Sequence, residues 1–109
     1  VLTQMSVDDS EPVPEGAGHG KPPLTQYLGV FPDELTLVPH LVKSALKPGD
    51  FYLLCSDGLT DLLPNVMIAD CIRQHTSVRQ ITEHLLRTAL QNGGRDNVSV
   101  IGIKINELR

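Results

Sequence analysis

Residues 50–61 read DFYLLCSDGLTD. The run Phe51–Cys55 is apolar at every position, which is typical of a strand covered on both faces. Ser56, Asp57 and Gly58 follow at once and predict an abrupt end to that strand. Asp57 therefore stands at the junction between a strand and a loop, where a carboxylate is available for chemistry.

A second aspartate stands at a similar junction. Residues 98–105 alternate in a pattern that predicts another strand, and Asp96 and Asn97 directly precede it. If the two strands are neighbours, Asp57 and Asp96 point into one cleft. Two carboxylates completed by water suit a hard divalent cation such as magnesium or manganese. The alternative is that both aspartates only form turns, in which Asp-Gly and Asp-Asn are common.

Two helices are predicted between these junctions, over residues 64–75 and 77–91. Pro64 suits the first position of a helix, and Ser77 with Gln80 three residues later forms a capping box for the second helix. Four residues of the first helix share a face: Ile68, Cys71, Ile72 and His75. Those of the second helix form a stripe: Val78, Ile81, Leu85, Ala89 and Leu90.

Three segments resemble the C-terminal half of the PPM-type (type 2C) metal-dependent serine/threonine protein phosphatases. They are LTQYLG at residues 24–29, DFYLLCSDGLTD at 50–61 and GGRDNVSVI at 93–101, in the family's order. The resemblance implies an α+β fold, in which this chain is part of an antiparallel β-sandwich flanked by helices (α-β-β-α). It also implies hydrolysis of phosphoserine and phosphothreonine in proteins by water activated at two Mn²⁺ or Mg²⁺ ions.

The resemblance assigns roles to individual residues. Asp57 and Asp96 match the family's ligands of one metal ion. Asp61, Gly58 and Asn97 are candidates for supporting that site from outside the ligand shell. For Asp61 the alternative is a simple helix N-cap. The only catalytic residues expected in this chain are its metal ligands.

The chain also departs from the family pattern. The family's N-terminal segments, which supply the remaining ligands and a phosphate-gripping arginine, do not occur. We therefore expect residues 1–109 to be the C-terminal portion of one phosphatase domain and to be inactive alone. The alternative function is a non-catalytic, phosphatase-like binding or regulatory module. Residues 6–23, rich in proline and glycine, predict a flexible, flap-like loop.

The composition and net charge of the chain limit the classes of binding partner that we expect. A net charge of −4 disfavours binding to nucleic acid and to anionic lipid. No segment of residues 1–109 reads as a signal peptide or as an apolar run of the roughly 20 residues that span a membrane, so we expect neither feature in this part of the chain. The expected partners are a phosphoprotein substrate and an opposing serine/threonine kinase. Cys55 and Cys71 lack metal-type spacing, so we expect both to be buried thiols of a reducing, cytoplasmic protein.

Two further expectations concern the histidines and assembly. His19, His40, His75 and His84 show no paired spacing, which favours solvent-facing or core positions over metal ligation.

The helices can cover only one face of the predicted sheet. We therefore expect the isolated chain to form a dimer or higher oligomer through the other face, or to fold poorly.

Overall fold

The computed structural model describes residues 1–16 and 21–109. These residues form two compact units, one made of Val1–Thr3 with Ser44–Arg109 and the other of Gln4–Lys43. The helices and strands of the described residues all belong to the first unit. His19 and the middle of the predicted flap lie outside the described residues.

The first unit contains five elements in the order β-α-α-α-β. The strands are β1 (Phe51–Cys55) and β2 (Val100–Lys104), and the helices are α1 (Asp57–Thr60), α2 (Asn65–Gln74) and α3 (Val78–Gln91). The strands form a two-stranded antiparallel sheet in which Phe51 pairs with Lys104 and Cys55 with Val100. This order matches the predicted strand, two helices and strand, except for α1, a single helical turn that begins at Asp57 where a loop was expected.

A turn leads into β1, as the sequence predicts. The backbone N–H of Asp50 donates to the carbonyl of Lys47 at 3.1 Å, and the Asp50 carboxylate accepts from the Lys47 N–H at 3.1 Å. The pairing continues past the strand ends, because the Gly49 N–H donates to the Ile105 carbonyl at 2.7 Å. The turn and the sheet therefore share one hydrogen-bonded network.

The core lies between the helices and one face of the sheet. Its buried residues are Leu59, Leu63, Ile68, Cys71, Ile81, Leu85 and Ala89. Phe51, Leu53 and Val100 pack against them from the sheet. A Cβ on Gly102 of β2 would lie 2.9 Å from a Val78 methyl carbon and 3.1 Å from that of Thr82. The absence of a side chain at Gly102 lets α3 pack directly on β2.

The other face of the sheet carries apolar residues in contact with solvent. Leu54 is 53% exposed, Ile101 60% and Ile103 44%. The prediction that Phe51–Cys55 is covered on both faces is therefore wrong, since the helices lie against one face only. The side chains of β2 alternate between the two faces, because Val100 packs on the core while Ile101 and Ile103 are exposed.

The helices begin and end close to their predicted limits, with small differences. Pro64 precedes α2 as its N-cap, with ψ at 155° in the extended region, so the helix begins at Asn65. The cap of α3 is confirmed, because the Ser77 hydroxyl accepts a hydrogen bond from the Gln80 N–H at 3.0 Å. Leu90 is 59% exposed and does not belong to the buried stripe of α3.

The two cysteines have different environments. Both are free thiols, and Cys71 is buried whereas Cys55 is exposed. The prediction that both are buried is thus wrong for Cys55, which lies at the end of β1 where the helices give less cover. Partial burial nevertheless raises the pKa of both thiols.

The second unit contains a bridge between Ser10 and Leu24 in place of regular elements. The Glu11 N–H donates to the Pro23 carbonyl at 2.9 Å, and the Thr25 N–H donates to the Asp9 carbonyl at 2.8 Å. These contacts join the two ends of the predicted flap. That the segment between them is flexible stays a prediction.

Side chains also organise the second unit around Asp9. Its carboxylate contacts His40 Nε2 at 2.7 Å and accepts from Gln26 Nε2 at 2.9 Å. The hydrogen bond with His40 is the main reason that the pKa of Asp9 is lowered, and the bond with Gln26 adds to it. Gln26 Oε1 in turn accepts from the Val38 N–H at 2.6 Å.

Among the described residues, none of the helices has the length and apolar character needed to cross a membrane.

Candidate metal centre

The strand pairing brings the two predicted ligands to one end of the sheet. Cys55 at the end of β1 lies opposite Val100 at the start of β2. Asp57 comes two residues after Cys55 and Asp96 four residues before Val100. Because antiparallel strands run in opposite directions, the segments that carry the two aspartates leave the same end of the sheet. The condition set by the sequence analysis, that the two strands are neighbours, is met.

Ser56 joins these two segments. Its backbone N–H donates to the Ser99 carbonyl at 3.0 Å. Its hydroxyl donates to the Asn97 carbonyl at 3.2 Å and accepts from the Ser99 N–H at 3.0 Å. One side chain therefore satisfies a carbonyl and an N–H on the opposite segment and fixes that segment beside Asp57. Sequence reasoning missed this role, since a serine after a strand is also an ordinary turn residue.

Gly58 makes the closest approach between the segments. It is buried, and a Cβ at this position would overlap the backbone oxygen of Asn97 and lie 3.0 Å from its carbonyl carbon. Only glycine allows the two backbones to come this close. Gly58 and Asn97, both predicted to support the site, are thus in direct contact with each other.

Asp96 is oriented by its own neighbour. The Asn97 N–H donates to Asp96 Oδ1 at 2.7 Å, a short local bond typical of aspartate in turns. It restricts the carboxylate while Asp96 stays exposed to solvent. One oxygen thus has a fixed direction, which is a useful property in a metal ligand.

Asp57 and Asp61 occupy the two ends of a single helical turn. Asp57 begins α1, and the Asp61 N–H donates to the Asp57 carbonyl at 2.8 Å. Residues four apart on a helical turn lie on the same side, and both aspartates are exposed. Asp61 is the C-cap of α1, while Pro64 precedes α2. The alternative that Asp61 is an N-cap is therefore wrong.

The donor set fits a hard divalent cation. Exposed carboxylate oxygens suit Mg²⁺ or Mn²⁺, which keep several waters. Within the described residues, one group of three His, Cys, Asp or Glu side chains has its ligand atoms within 4.8 Å of one another, and it does not include Asp57 or Asp96. Among the described residues, the two aspartates alone thus do not make up a group of three such ligand atoms.

That group of three was not expected from the sequence. It consists of Cys71, His75 and His84, two of which were predicted to be solvent-facing or core histidines. His40 instead contacts Asp9. The four-residue spacing of Cys71 and His75 was visible, but His84 joins them only because α3 folds back beside α2.

The sequence matches the family described as "Protein phosphatase 2C" over residues 20–98. The serine/threonine protein phosphatase PstP of Mycobacterium tuberculosis is 34% identical over 100 residues, which are 92% of this chain and 19% of PstP. The protein phosphatase PhpP of Streptococcus pneumoniae is 33% identical over 104 residues, which are 95% of this chain and 39% of PhpP. The chain thus spans less than half the length of these curated relatives.

The fold is also shared with a solved structure. The catalytic domain of PstP in complex with two manganese ions aligns with a TM-score of 0.63 at 31% identity, over 72% of this chain and 38% of that one. This likeness confirms the predicted fold class, an α+β portion of the phosphatase fold. With the family match over most of its length, the chain belongs to the protein phosphatase 2C family.

Proposed function

We propose that this chain forms part of a metal-dependent phosphoprotein phosphatase, to which it contributes Asp57 and Asp96 as ligands of one Mn²⁺ or Mg²⁺ ion. The observation that carries the proposal is the juxtaposition of the two aspartate segments, tied together by Ser56. Membership of the family and the manganese complex of the related PstP domain support the same assignment.

The proposed substrates are phosphoserine and phosphothreonine side chains of proteins. The relative PstP is named as a serine/threonine protein phosphatase, which supports this class. A phosphatase of this class acts against a serine/threonine kinase, which we propose as its functional counterpart. The free thiols of Cys55 and Cys71 support a reducing, cytoplasmic location.

The residues of this chain have separate tasks in the proposed mechanism. When bound, the metal ions supply Lewis acidity and lower the pKa of water for attack on phosphorus. Asp57 and Asp96 would hold one cation by their carboxylates. The Asn97 N–H holds Oδ1 of Asp96 in place. Asp61, one turn after Asp57, would accept hydrogen bonds from waters of the site.

The proposed activity needs ligands beyond this chain. Two carboxylates are too few to hold the two ions that such hydrolysis uses. We therefore expect the 109-residue chain to hydrolyse neither phosphopeptide nor aryl phosphate, with turnover appearing only in the complete phosphatase domain. Metal-dependent turnover by the 109-residue chain, absent from an Asp57→Asn/Asp96→Asn control, would show that its own residues complete the site.

The assignment is tested by single substitutions in the complete domain. Asp57→Asn or Asp96→Asn should lower kcat/KM for a phosphothreonine peptide by at least about 100-fold at saturating manganese, because an amide oxygen is a weaker ligand for a hard cation. Asp70→Asn is the matched control, since Asp70 lies on α2 and pairs with Arg73. Near-normal rates in either ligand variant contradict the assignment, whereas a complete domain that shows no turnover before substitution favours the non-catalytic module.

We also propose that the isolated chain self-associates through the exposed sheet face formed by Leu54, Ile101 and Ile103. A symmetric dimer would cover the same patch on both copies. Ile101→Lys should shift sedimentation of the chain toward monomer, whereas Leu90→Lys, at an equally exposed position on α3, should not. A wild-type chain that is folded and strictly monomeric at micromolar concentration contradicts the proposal.

A further inference from the structure

A second cluster of metal-binding side chains lies between α2 and α3. The sulfur of Cys71 and one ring nitrogen each of His75 and His84 all lie within 4.8 Å of one another. The two imidazole rings are 5.0 Å apart between centroids and tilted by 45°, so they are not stacked face to face. None of these residues belongs to the aspartate site.

The three side chains come from three different parts of the fold. Cys71 is buried in the last turn of α2, and His75 is the C-cap residue, where the backbone turns to the extended region at ψ 144°. Ser77 then caps α3. Along α3, the chain folds back beside α2, which brings His84 close to the other two residues. The cluster therefore joins both arms of a helical hairpin.

One polar atom of the cluster lacks a protein partner. Nε2 of His75 is buried, and within the described residues it makes no hydrogen bond. Buried side-chain nitrogens are normally paired. The Cys71 thiol donates to the Ile81 carbonyl at a sulfur–oxygen distance of 3.7 Å. The cluster thus contains a thiol and an unpaired imidazole nitrogen next to a second imidazole.

The cluster opens onto a cleft, so an ion can reach it. The cleft has a volume of about 200 Å³ and is lined by His75, Gln80, Glu83, His84 and Arg87. Arg79 pairs with Glu83 at 3.0 Å beside it. A metal ion held by the three side chains would keep one coordination position open to solvent through this cleft.

We propose that Cys71, His75 and His84 form a binding site for Zn²⁺ or a similar borderline-soft divalent ion. One thiolate and two imidazoles are a donor set that Zn²⁺ accepts, with bonds of about 2.3 Å to sulfur and about 2.0–2.1 Å to nitrogen. Tetrahedral bonds of these lengths place the ligand atoms about 3.3–3.6 Å apart. Because the ligand atoms already lie within 4.8 Å of one another, closing the site takes an inward movement of at most about 1.5 Å, which rotation of the exposed His84 side chain can supply.

Binding has a defined proton balance and a structural consequence. The Cys71 thiol loses its proton to solvent as the metal–sulfur bond forms, and both histidines bind as neutral imidazoles. The ion would then link α2 to α3 at the point where the chain reverses. Because the linked site exists only in the folded chain, the ion stabilises the folded state.

Cobalt titration of the full chain under reducing conditions tests the site. Co²⁺ bound to a thiolate gives a charge-transfer band in the near ultraviolet, and added Zn²⁺ should remove it by displacement. Cys55→Ser should keep the band, and Cys71→Ser should lose it. Saturating Zn²⁺ should also raise the melting temperature by about 5 °C or more.

Further variants separate the proposal from folding effects and from the aspartate site. Because Cys71 is a core residue, His84→Ala is the decisive variant: its side chain is exposed, and its loss should weaken cobalt binding at least about 10-fold without unfolding the chain. His40→Ala and the Asp57→Asn/Asp96→Asn double variant should leave the band unchanged. Absence of the band in the wild type, its persistence in Cys71→Ser, or unaltered affinity in His84→Ala overturns the proposal.

Discussion

The backbone carbonyl of Asn97 occupies the space that a side chain on Gly58 would need. These two residues come from the segments that carry the proposed metal ligands, Asp57 and Asp96. The distance between the two segments is therefore set by backbone contact, which side-chain rotation cannot relax. A site built in this way depends on residues that are not ligands themselves.

Gly58→Ala should destabilise the chain. At an ordinary helical position, replacing glycine by alanine stabilises the folded state by about 0.5–1 kcal/mol. Here the added methyl group meets backbone that can move only by separating the segments, so we expect a net loss of about 1–3 kcal/mol. Urea unfolding of the full chain measures the difference, and Thr60→Ala, an exposed position in the same turn, is the control. Equal midpoints for Gly58→Ala and the wild type would mean that the contact imposes no constraint.

Much of the fold follows from the periodicity of the sequence. The helical spacing of Ile81, Leu85 and Ala89 predicts a buried stripe on α3, and all three residues are buried. The apolar run of β1 predicts a strand but not its surroundings, because composition shows that a residue prefers burial without showing what covers it. Leu54 is exposed because the described residues cover only the other face of the sheet.

The sequence likewise predicts part of the candidate site, the positions of its two aspartates, but not the contacts around them. Asp57 and Asp96 stand next to strands, so their proximity follows from the pairing of those strands. The hydrogen bonds of Ser56 depend on register, which the sequence does not show. The Cys71 cluster depends on how α3 folds back on α2, a tertiary relationship that brings His84 to residues nine and thirteen positions earlier.

Ser56→Ala should loosen the aspartate segments. It removes the hydroxyl that donates to the Asn97 carbonyl and accepts from the Ser99 N–H. Two such bonds contribute about 1–2 kcal/mol to the free energy of unfolding, and manganese affinity should fall with them. Ser99→Ala is a matched control, because Ser99 takes part through its backbone, and it should change stability by less than about 0.5 kcal/mol. The idea fails if both variants unfold at the same denaturant concentration.

The contact between Asp9 and His40 should make the second unit sensitive to acid. The pKa of Asp9 is lowered from its ordinary value of 3.8, mainly by the hydrogen bond with His40. A carboxylate with a lowered folded-state pKa adds stability above its unfolded pKa and loses it as pH falls through the folded pKa. The expected loss thus begins near pH 3.8 and proceeds toward lower pH.

Carboxyl-carbon NMR titration checks this directly. The midpoint for Asp9 should lie below 3.8 and rise toward it in His40→Ala. Gln26→Ala should produce a smaller rise, since its hydrogen bond is the lesser cause. Lys43→Ala, which removes a positive charge from the same unit, serves as the control for charge alone. An Asp9 midpoint that is identical in the wild type and His40→Ala would show that the contact does not form in solution.

Manganese-induced broadening of the amide resonances of the full chain tests the central claim most directly. Mn²⁺ is paramagnetic, so resonances broaden according to their distance from the bound ion, and activity is not needed for the measurement. If Asp57 and Asp96 hold one cation together, broadening at low manganese should be strongest for residues 56–58 and 96–97 and should disappear in the Asp57→Asn/Asp96→Asn variant. Broadening centred on another part of the chain, or unchanged in that variant, would contradict the account.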